Sequence, residues 1–398
     1  MSNLEEGYFL SKILVVGMSR SSHLQKWISM MPNKWSEIHF VESTQDFVDK
    51  TKLTSEIPIQ FIETKYDLLS KNFFLFWIFN QIVNRFFFSL KLSISSNQAA
   101  FRISKALRDN EYDAIHCFEI QHAGYALLQV LDENKNSVKS KIFISCWGSD
   151  IYWFINQEKH KQRISRLLQS TNVLILDTNR DIALSRSLGY LGEVFRINSH
   201  AGGLDLNEIV SEPYININNR DSIIIKGHFG FVGRPFFSID VLLELAHLIK
   251  KMDLELNVIS CPPTIIPMIT EQIENHGLKY RIYKPYELSR FELIKLYRRS
   301  KLCIANSMSD GIPTTAIESM ANGCVPIQSN TSSLLEWGVD KRIVISPIDG
   351  ISWLNIIRYL LENEFELKNI AKLNLRIAQE NFSVNVVQKQ INQIYDLL

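Results

Sequence analysis

The sequence predicts an α/β protein with two doubly wound parallel sheets, one in each half of the chain. Short apolar runs alternate with helical stretches throughout, and 398 residues are enough for two domains with separate cores. A polar patch from 208 to 222 separates one alternating series from the next. Because strands that alternate with helices form parallel sheets, each series predicts its own sheet, and the pair predicts a cleft between two domains.

The first series predicts an N-terminal Rossmann-like domain over residues 1–207. It opens with a buried strand at 12–17 that ends in a glycine turn. A helical stretch lies at 160–169. Further buried strands are predicted at 114–117, 142–145 and 173–176.

The second series predicts a C-terminal Rossmann-like domain over residues 221–381. Its strands are predicted at 230–233, 256–259 and 302–305. The last segment, 382–398, carries apolar residues at helical spacing and predicts a final helix.

Charge and cysteine content exclude several classes of protein. The formal net charge of +1 argues against an electrostatic trap for nucleic acid. The five cysteines are scattered and form no Cys-x-x-Cys pair, which favours a reducing compartment and argues against structural zinc. No apolar core of signal-peptide length follows Glu5 and Glu6. These features predict a cytoplasmic protein.

Residues 73–92 are rich in aromatic side chains with basic neighbours such as Arg85 and Lys91. The longest uninterrupted apolar run has seven residues, which is too short to span a bilayer. Two interpretations stay open. One is a helix in the membrane interface, which would make the protein peripheral. The other is a hydrophobic helix packed against the first sheet or a partner.

The segment 309–323 is the most informative part of the sequence. Gly311 allows unusual backbone angles, Pro313 suits the first position of a helix, and Gly323 suits its end. Asp310 therefore precedes a helix, and Glu318 lies about one and a half turns inside it.

The start of this helix predicts an anion site. The N–H groups expected to face it belong to Gly311, Ile312, Thr314 and Thr315. An acid on each side would bind the hydroxyls of a sugar or a ribose. The alternative is an ordinary capped helix with one buried or solvated glutamate.

The two acids, eight positions apart, resemble the acid-x7-acid signature of retaining nucleotide-sugar glycosyltransferases of family 4, which have the two-domain GT-B fold. The resemblance implies that Asp310 contacts the donor sugar and Glu318 holds the ribose, with donor-binding residues from Gly311 through Pro313 to Thr315. Asp310 stands where the family usually has glutamate, so its side chain is one methylene shorter.

Gly233 and Arg234 match the glycine and the diphosphate-binding arginine of that family. A guanidinium can bind a diphosphate through two parallel hydrogen bonds. The family usually has a lysine a few residues later, but residues 235–239 contain none. Whether Lys226 replaces it stays open.

Segments of the first domain resemble the family as well. His122 matches a pocket histidine that lines the sugar. Gly17, Ser19 and His23 belong to a first loop that would approach the phosphates or the acceptor. Asp150 would orient an acceptor hydroxyl or, by a slight preference, cap the next helix. The turn at 198–205 resembles a family turn that borders the cleft and is interpreted as structural.

The resemblance implies a glycosyltransferase of hexosyltransferase type. It would move a sugar from a nucleotide-diphosphate-sugar co-substrate to a hydroxyl of a glycan or lipid-linked glycan, with retention, in polysaccharide biosynthesis. The sequence contains no Asp-x-Asp motif, so no metal ion and no cofactor are expected. Segment 382–398 would cross back to the first domain, as in this fold.

Three alternatives share the fold. One is a protein that binds nucleotide sugar or glycan without transfer, which the missing lysine and Asp310 favour. The others are a sugar epimerase and a phosphorylase. The acid pair argues against the non-transferring protein and against the epimerase or phosphorylase, because none of them needs two acids at this spacing.

Overall fold

The computed structural model describes residues 11–44, 48–63, 88–133, 138–210, 215–230 and 232–397, with the backbone alone at 88–97 and 210. Most of the predicted membrane-contact segment, 73–87, lies outside the described residues. The chain forms two compact units. Unit 1 comprises Met1–Gly202 and Gln388–Leu398, and unit 2 comprises Gly203–Val387.

Unit 1 is built on a parallel sheet in which seven strands are described, in the order β3-β2-β1-β4-β5-β6-β7. The strands are β1 (Ser11–Gly17), β2 (Trp35–Glu42), β3 (Ile59–Phe61), β4 (Ala114–Phe118), β5 (Lys141–Ser145), β6 (Val173–Leu176) and β7 (Glu193–Arg196). The helices are α1 (Ser22–Ser29), α2 (Phe88–Asp109), α3 (Tyr125–Glu133), α4 (Glu158–Ser170) and α5 (Asn179–Ser187). The four strands predicted in this half are confirmed. Their apolar runs are buried, as expected for a parallel sheet covered on both faces.

Unit 2 is built on a parallel sheet in which six strands are described, in the order β10-β9-β8-β11-β12-β13. The strands are β8 (Ser222–Lys226), β9 (Glu255–Ile259), β10 (Lys279–Ile282), β11 (Ser300–Ala305), β12 (Val325–Ser329) and β13 (Val344–Ile345). The helices are α6 (Leu206–Val210), α7 (Pro235–Leu243), α8 (Ala246–Lys251), α9 (Ile266–Glu274), α10 (Arg290–Arg299), α11 (Thr314–Ala321), α12 (Gly350–Glu362) and α13 (Glu364–Asn381). A further helix, α14 (Val384–Tyr395), begins in unit 2 and belongs to unit 1 from Gln388 onward. Two doubly wound parallel sheets were predicted, and both are present.

The predicted strand at 230–233 is wrong. The strand that opens unit 2 is β8, whose residues Ile223 to Ile225 are fully buried. Gly230 has a φ of +107°, which ends any extended run, and it makes only an isolated bridge to Gly233. Arg234 therefore does not follow a strand directly. It is the N-cap residue of α7.

The end of α14 contributes to the core of unit 1 through a chain of hydrogen bonds. Trp27 Nε1 donates to the Tyr395 hydroxyl at 3.0 Å, because an indole N–H is a donor only. The Tyr395 hydroxyl then donates to His116 Nδ1 at 2.7 Å, and His116 Nε2 donates to Ser145 Oγ at 2.8 Å. Burial lowers the pKa of His116 well below its ordinary value, which keeps the ring neutral, as this arrangement needs. His116 is thus a packing residue of the core.

Tyr395→Phe is expected to lower the free energy of unfolding by about 1–3 kcal/mol, because Trp27 Nε1 and His116 Nδ1 would lose a buried partner. Urea unfolding followed by tryptophan fluorescence measures this. Tyr286→Phe is the matched control, since Tyr286 is 95% exposed and its loss should change stability by less than about 0.5 kcal/mol. Equal unfolding midpoints for the two variants would contradict the hydrogen-bond chain.

Candidate functional site

The strand order of unit 2 reverses between β8 and β11, and a charged pair lies at this point. The chain proceeds outward through β9 and β10 on one side and through β12 and β13 on the other. Open α/β sheets bind ligands at such a switch point, at the carboxyl ends of the strands. Lys226 is the last residue of β8, and Asp310 lies in the loop after β11. Lys226 Nζ is 3.0 Å from Asp310 Oδ2, and the two side chains are 11% and 21% exposed.

Arg234 lies at the same edge of the sheet. Its backbone N–H donates to the carbonyl of Asn306 at 2.9 Å, directly after β11. Its Nη1 donates to the carbonyl of Pro347 at 2.5 Å, and its guanidinium packs 4.9 Å from the centre of the Phe237 ring. The backbone therefore holds Arg234 beside the loop that carries Asp310.

Gly233 has a steric role here. A Cβ atom on Gly233 would stand 2.1 Å from the carbonyl oxygen of His228. Only glycine lets the turn before Arg234 pack this closely against His228, which lies two residues after the end of β8.

The helix after Asp310 begins nearly where the sequence predicted. It starts at Thr314, with Pro313 as the N-cap residue, and Gly323 follows its end with a φ of +68°. Proline offers no side-chain acceptor, and no side chain caps the first turn. The first-turn N–H groups of α11, including that of Thr315, thus provide partial positive charge.

The expected special backbone of Gly311 is not observed. Gly311 is not among the glycines with positive φ. Its N–H donates to Asp310 Oδ1 at 3.0 Å, so it orients that carboxylate. Ile312 continues the same loop into the helix.

Glu318 lies inside α11 and is 9% exposed. Its Oε1 accepts a hydrogen bond from Arg290 Nη1, and its Oε2 accepts one from the Tyr297 hydroxyl at 3.2 Å. Burial raises the pKa of Glu318, while Arg290 and Tyr297 oppose that shift. A carboxylate has about four acceptor sites, so these two bonds leave capacity for the hydroxyls of a ligand.

His228 is a neutral imidazole near the charged pair. Burial, followed by the charge of Lys226, lowers the pKa of His228 to about 4. At neutral pH the ring therefore adds no positive charge beside Lys226 and Asp310.

In unit 1, the sequence-predicted residues lie at the carboxyl edge of its sheet, where the strand order reverses between β1 and β4. Gly17 ends β1, and a Cβ atom there would stand 2.9 Å from Leu24 Cδ2. Ser19 is fully buried: its N–H donates to Glu42 Oε2 at 2.9 Å and its Oγ accepts from the Asp49 N–H at 3.0 Å. These bonds give Ser19 a role in holding the loop, and its contact with a ligand stays a prediction.

His23 and Asp150 lie at the same edge. The ring centroids of His23 and Trp147 are 5.6 Å apart. Asp150 does not cap a helix, so that expectation is wrong. Its Oδ2 accepts from the N–H groups of Ile120 and Trp147, each at 3.0 Å, and it ties two strand-end loops together. Burial, followed by the charge of Glu119, raises the pKa of Asp150 well above its ordinary value.

His122 lies in a π-helical turn, Ile120–Gly124, after β4. Its Nδ1 is 3.2 Å from Glu119 Oε2, and its side chain is 33% exposed. The hydrogen bond with Glu119 raises the pKa of His122 above its ordinary value, against the effect of burial.

The turn at 198–205 has the structural role that its glycines predicted. Gly202 and Gly203 have φ values of +76° and +78°. A Cβ atom on Gly202 would stand 2.1 Å from Lys26 Cγ.

Sequence reasoning missed the partners of the two acids. Lys226 lies 84 positions from Asp310, and Arg290 lies 28 positions from Glu318. No local sequence pattern predicts pairs of residues that are this far apart in the chain. Lys226, at the carboxyl end of a strand, was the one available signal of such a partner, because ligands bind at the carboxyl ends of the strands in these sheets.

Two doubly wound units of this kind define the GT-B fold, the class to which this protein belongs. Several solved structures are similar to this chain over nearly its whole length. Sucrose-phosphate synthase from Thermosynechococcus elongatus has a TM-score of 0.69 at 14% identity, with 97% of this chain and 98% of that chain covered. HepE from Anabaena, in complex with UDP and glucose, has a TM-score of 0.67 at 15% identity, with 98% and 100% covered. A glycosyltransferase from Rickettsia africae has a TM-score of 0.64 at 16% identity, with 98% and 99% covered.

Matches to protein-family models identify the class of enzyme within this fold. Residues 229–378 match the model described as glycosyl transferases group 1, and residues 12–178 match the one described as glycosyl transferase 4-like. Because both halves match glycosyltransferase models, the protein is a glycosyltransferase. A comparison with curated proteins gives no match. Among the described helices, none has the length and apolar character needed to cross a membrane.

Proposed function

We propose that this glycosyltransferase moves a sugar from a nucleoside diphosphate sugar to a hydroxyl acceptor, and that unit 2 binds the donor. The pairing of Lys226 with Asp310 at 3.0 Å, beside Arg234 at the switch point of the sheet, is the observation that carries the proposal. It combines cations for a diphosphate with an acid for a sugar. The structural neighbour HepE, which was solved with UDP and with UDP-glucose, supports a donor of this class.

Arg234 and Lys226 are the proposed cations for the diphosphate. When the bond between the sugar and the diphosphate breaks, negative charge develops on the departing phosphate oxygens. Fixed donors placed where that charge develops lower the barrier. The N–H groups in the first turn of α11, such as that of Thr315, add to these donors, and Gly233 allows the turn that brings Arg234 there. Lys226 replaces the lysine that the family usually has a few residues after the diphosphate-binding arginine.

The two acids have separate proposed roles. Asp310 orients a hydroxyl of the transferred sugar, with Lys226 and the Gly311 N–H keeping its carboxylate in place. Glu318 accepts hydrogen bonds from the ribose hydroxyls, with Arg290 and Tyr297 fixing its orientation.

In unit 1 we propose that His122 takes part in binding the transferred sugar. Gly17, Ser19, His23 and Asp150 are the proposed acceptor or phosphate residues. Retention of configuration, a glycan or lipid-linked glycan as acceptor, a place in polysaccharide biosynthesis, and a cytoplasmic, peripheral location through residues 73–92 complete the proposal. The sequence resemblance supports the first three of these, whereas the cysteine content and the aromatic and basic residues of 73–92 support the location.

A thermal-shift panel of nucleoside diphosphates and nucleotide sugars tests the proposal. A ligand that binds the folded state alone raises the melting temperature. The donor should raise it in the wild-type protein and raise it less in Arg234→Ala. The best donor then enters a transfer assay with glycan and lipid-linked acceptors. A panel without any shift would contradict the proposal.

Transfer is expected to survive chelation of divalent metal ions. The proposed site stabilises the diphosphate with Arg234, Lys226 and the helix N–H groups instead of an ion. Turnover should be equal in excess EDTA and in added Mg²⁺ or Mn²⁺. Loss of transfer in EDTA that added metal restores would show that an ion carries this charge.

A further inference from the structure

Glu119 has a backbone conformation that glutamate rarely adopts. Its φ is 72° and its ψ is 154°, a region populated essentially by glycine. This backbone conformation typically costs about 1–3 kcal/mol of folding free energy, and it persists only where the surrounding structure holds the residue in place. Glu119 lies between β4 and the turn that carries His122, and it is 3% exposed.

The side chain explains why a glutamate occupies this position. Its Oε1 accepts from the N–H groups of His122 and Ala123, each at 2.7 Å. Its Oε2 lies 3.2 Å from His122 Nδ1. An ionised carboxylate only accepts hydrogen bonds, so Nδ1 of His122 carries the proton in this contact. One residue thus fixes both the turn and the ring.

Other charged groups face this pair from the neighbouring strands. Glu42, at the end of β2, is 1% exposed, and its charge acts on His122 in the same direction as that of Glu119. Asp150, which follows β5, is affected by the charge of Glu119 and accepts a hydrogen bond from the N–H of Ile120. His122 is therefore set among carboxylates, but of these Glu119 makes the hydrogen bond to its ring.

We propose that Glu119 is the positioning residue of His122. It holds the imidazole with the Nδ1 proton directed to its own carboxylate, and this leaves Nε2 as the ring nitrogen for the substrate. The step from ring orientation to transfer rests on the proposed function of His122. In metal and catalytic sites the same device, a carboxylate behind a histidine, sets which ring nitrogen faces the ligand.

The test combines NMR of labelled histidine with kinetics on the full chain. The wild-type His122 ring, where it is neutral, should be the Nδ1–H tautomer. Glu119→Gln keeps an oxygen for the two N–H groups but places an amide near Nδ1, so it should shift the ring to Nε2–H and lower the pH of its titration midpoint. Transfer should fall about 10²-fold in kcat, with the KM for the donor unchanged.

Two further variants separate positioning from stability. Glu119→Gly suits a φ of 72° and removes the strain, but it also removes the carboxylate from the turn and the ring. Positioning therefore predicts a loss of kcat like that of Glu119→Gln even where the melting temperature is not lowered. Glu42→Gln removes a buried charge from the same edge without touching the ring bond and should leave the tautomer unchanged.

An Nε2–H tautomer in the wild-type protein, or full kcat in Glu119→Gly, would overturn the inference. A tautomer shift without a fall in kcat would overturn it as well. Failure of the proposed function is distinguishable, because it would appear as a wild-type protein that neither binds nor transfers any nucleotide sugar. The tautomer can still be read in that protein.

Discussion

Arg234→Ala is expected to lower the kcat/KM for sugar transfer by about 10²–10³-fold, the usual cost of removing one well-placed donor from a developing anion. The guanidinium is held by the carbonyl of Pro347 and by the Phe237 ring, so it is oriented before a ligand arrives. Arg234→Lys should also be poor, because an ammonium group cannot reproduce a bidentate fork.

Lys226→Met should cause a loss of similar size, since Lys226 is the second proposed cation and also the partner of Asp310. Methionine keeps the apolar stem and removes the charge. Lys279→Met is the matched control, because Lys279 is the first residue of β10, at the end of that strand opposite the carboxyl edge. Its side chain is 64% exposed and pairs with Asp253. The turnover of this variant should equal that of the wild-type protein.

Turnover of these variants with one donor, beside their melting temperatures, distinguishes the outcomes. Folded Arg234 and Lys226 variants with wild-type turnover would show that the diphosphate does not bind at this edge. A loss in Lys226→Met alone would assign leaving-group stabilisation to the lysine.

Glu318→Gln is expected to weaken binding of the nucleoside diphosphate by about 10- to 100-fold. A hydrogen bond to a charged acceptor is typically worth about 1.5–3 kcal/mol, and each 1.4 kcal/mol is a factor of ten. Glutamine preserves the shape of the buried site but removes the charge that faces Arg290 and that we propose binds the ribose. Isothermal titration calorimetry measures the change.

A second ligand separates loss of the ribose contact from disturbance of Arg290. The wild-type protein should bind a dideoxy analogue more weakly than the ribose form, because the analogue lacks both hydroxyls. In Glu318→Gln that difference should largely disappear. An undiminished preference for ribose in the variant would mean that Glu318 does not contact the ribose.

The sequence was sufficient for the parts of the site that depend on local pattern. The loop with Asp310, the start of α11 and the stop at Gly323 follow from the preferences of aspartate, proline and glycine near helix ends. The buried strands follow from continuous apolar runs, as in β6. Each of these features is encoded within a few residues.

Features that depend on packing between distant segments were not predictable. The run at 230–233 looked like a strand because it is apolar, yet Gly230 has a positive φ, and the strand that opens unit 2 is β8. Lys226 meets Asp310 only because β8 and β11 are neighbours in the sheet. The strained backbone of Glu119 has no signal in composition or spacing.

Calorimetric titration of the full chain with UDP, GDP, ADP and CDP, and with the matching nucleosides, tests most directly whether unit 2 binds the donor. The site predicts that one diphosphate binds, that its nucleoside binds much more weakly, and that Arg234→Ala removes most of this difference. Binding of none of the four diphosphates, or equal binding of nucleoside and diphosphate, would contradict a diphosphate site formed by Arg234, Lys226 and the start of α11.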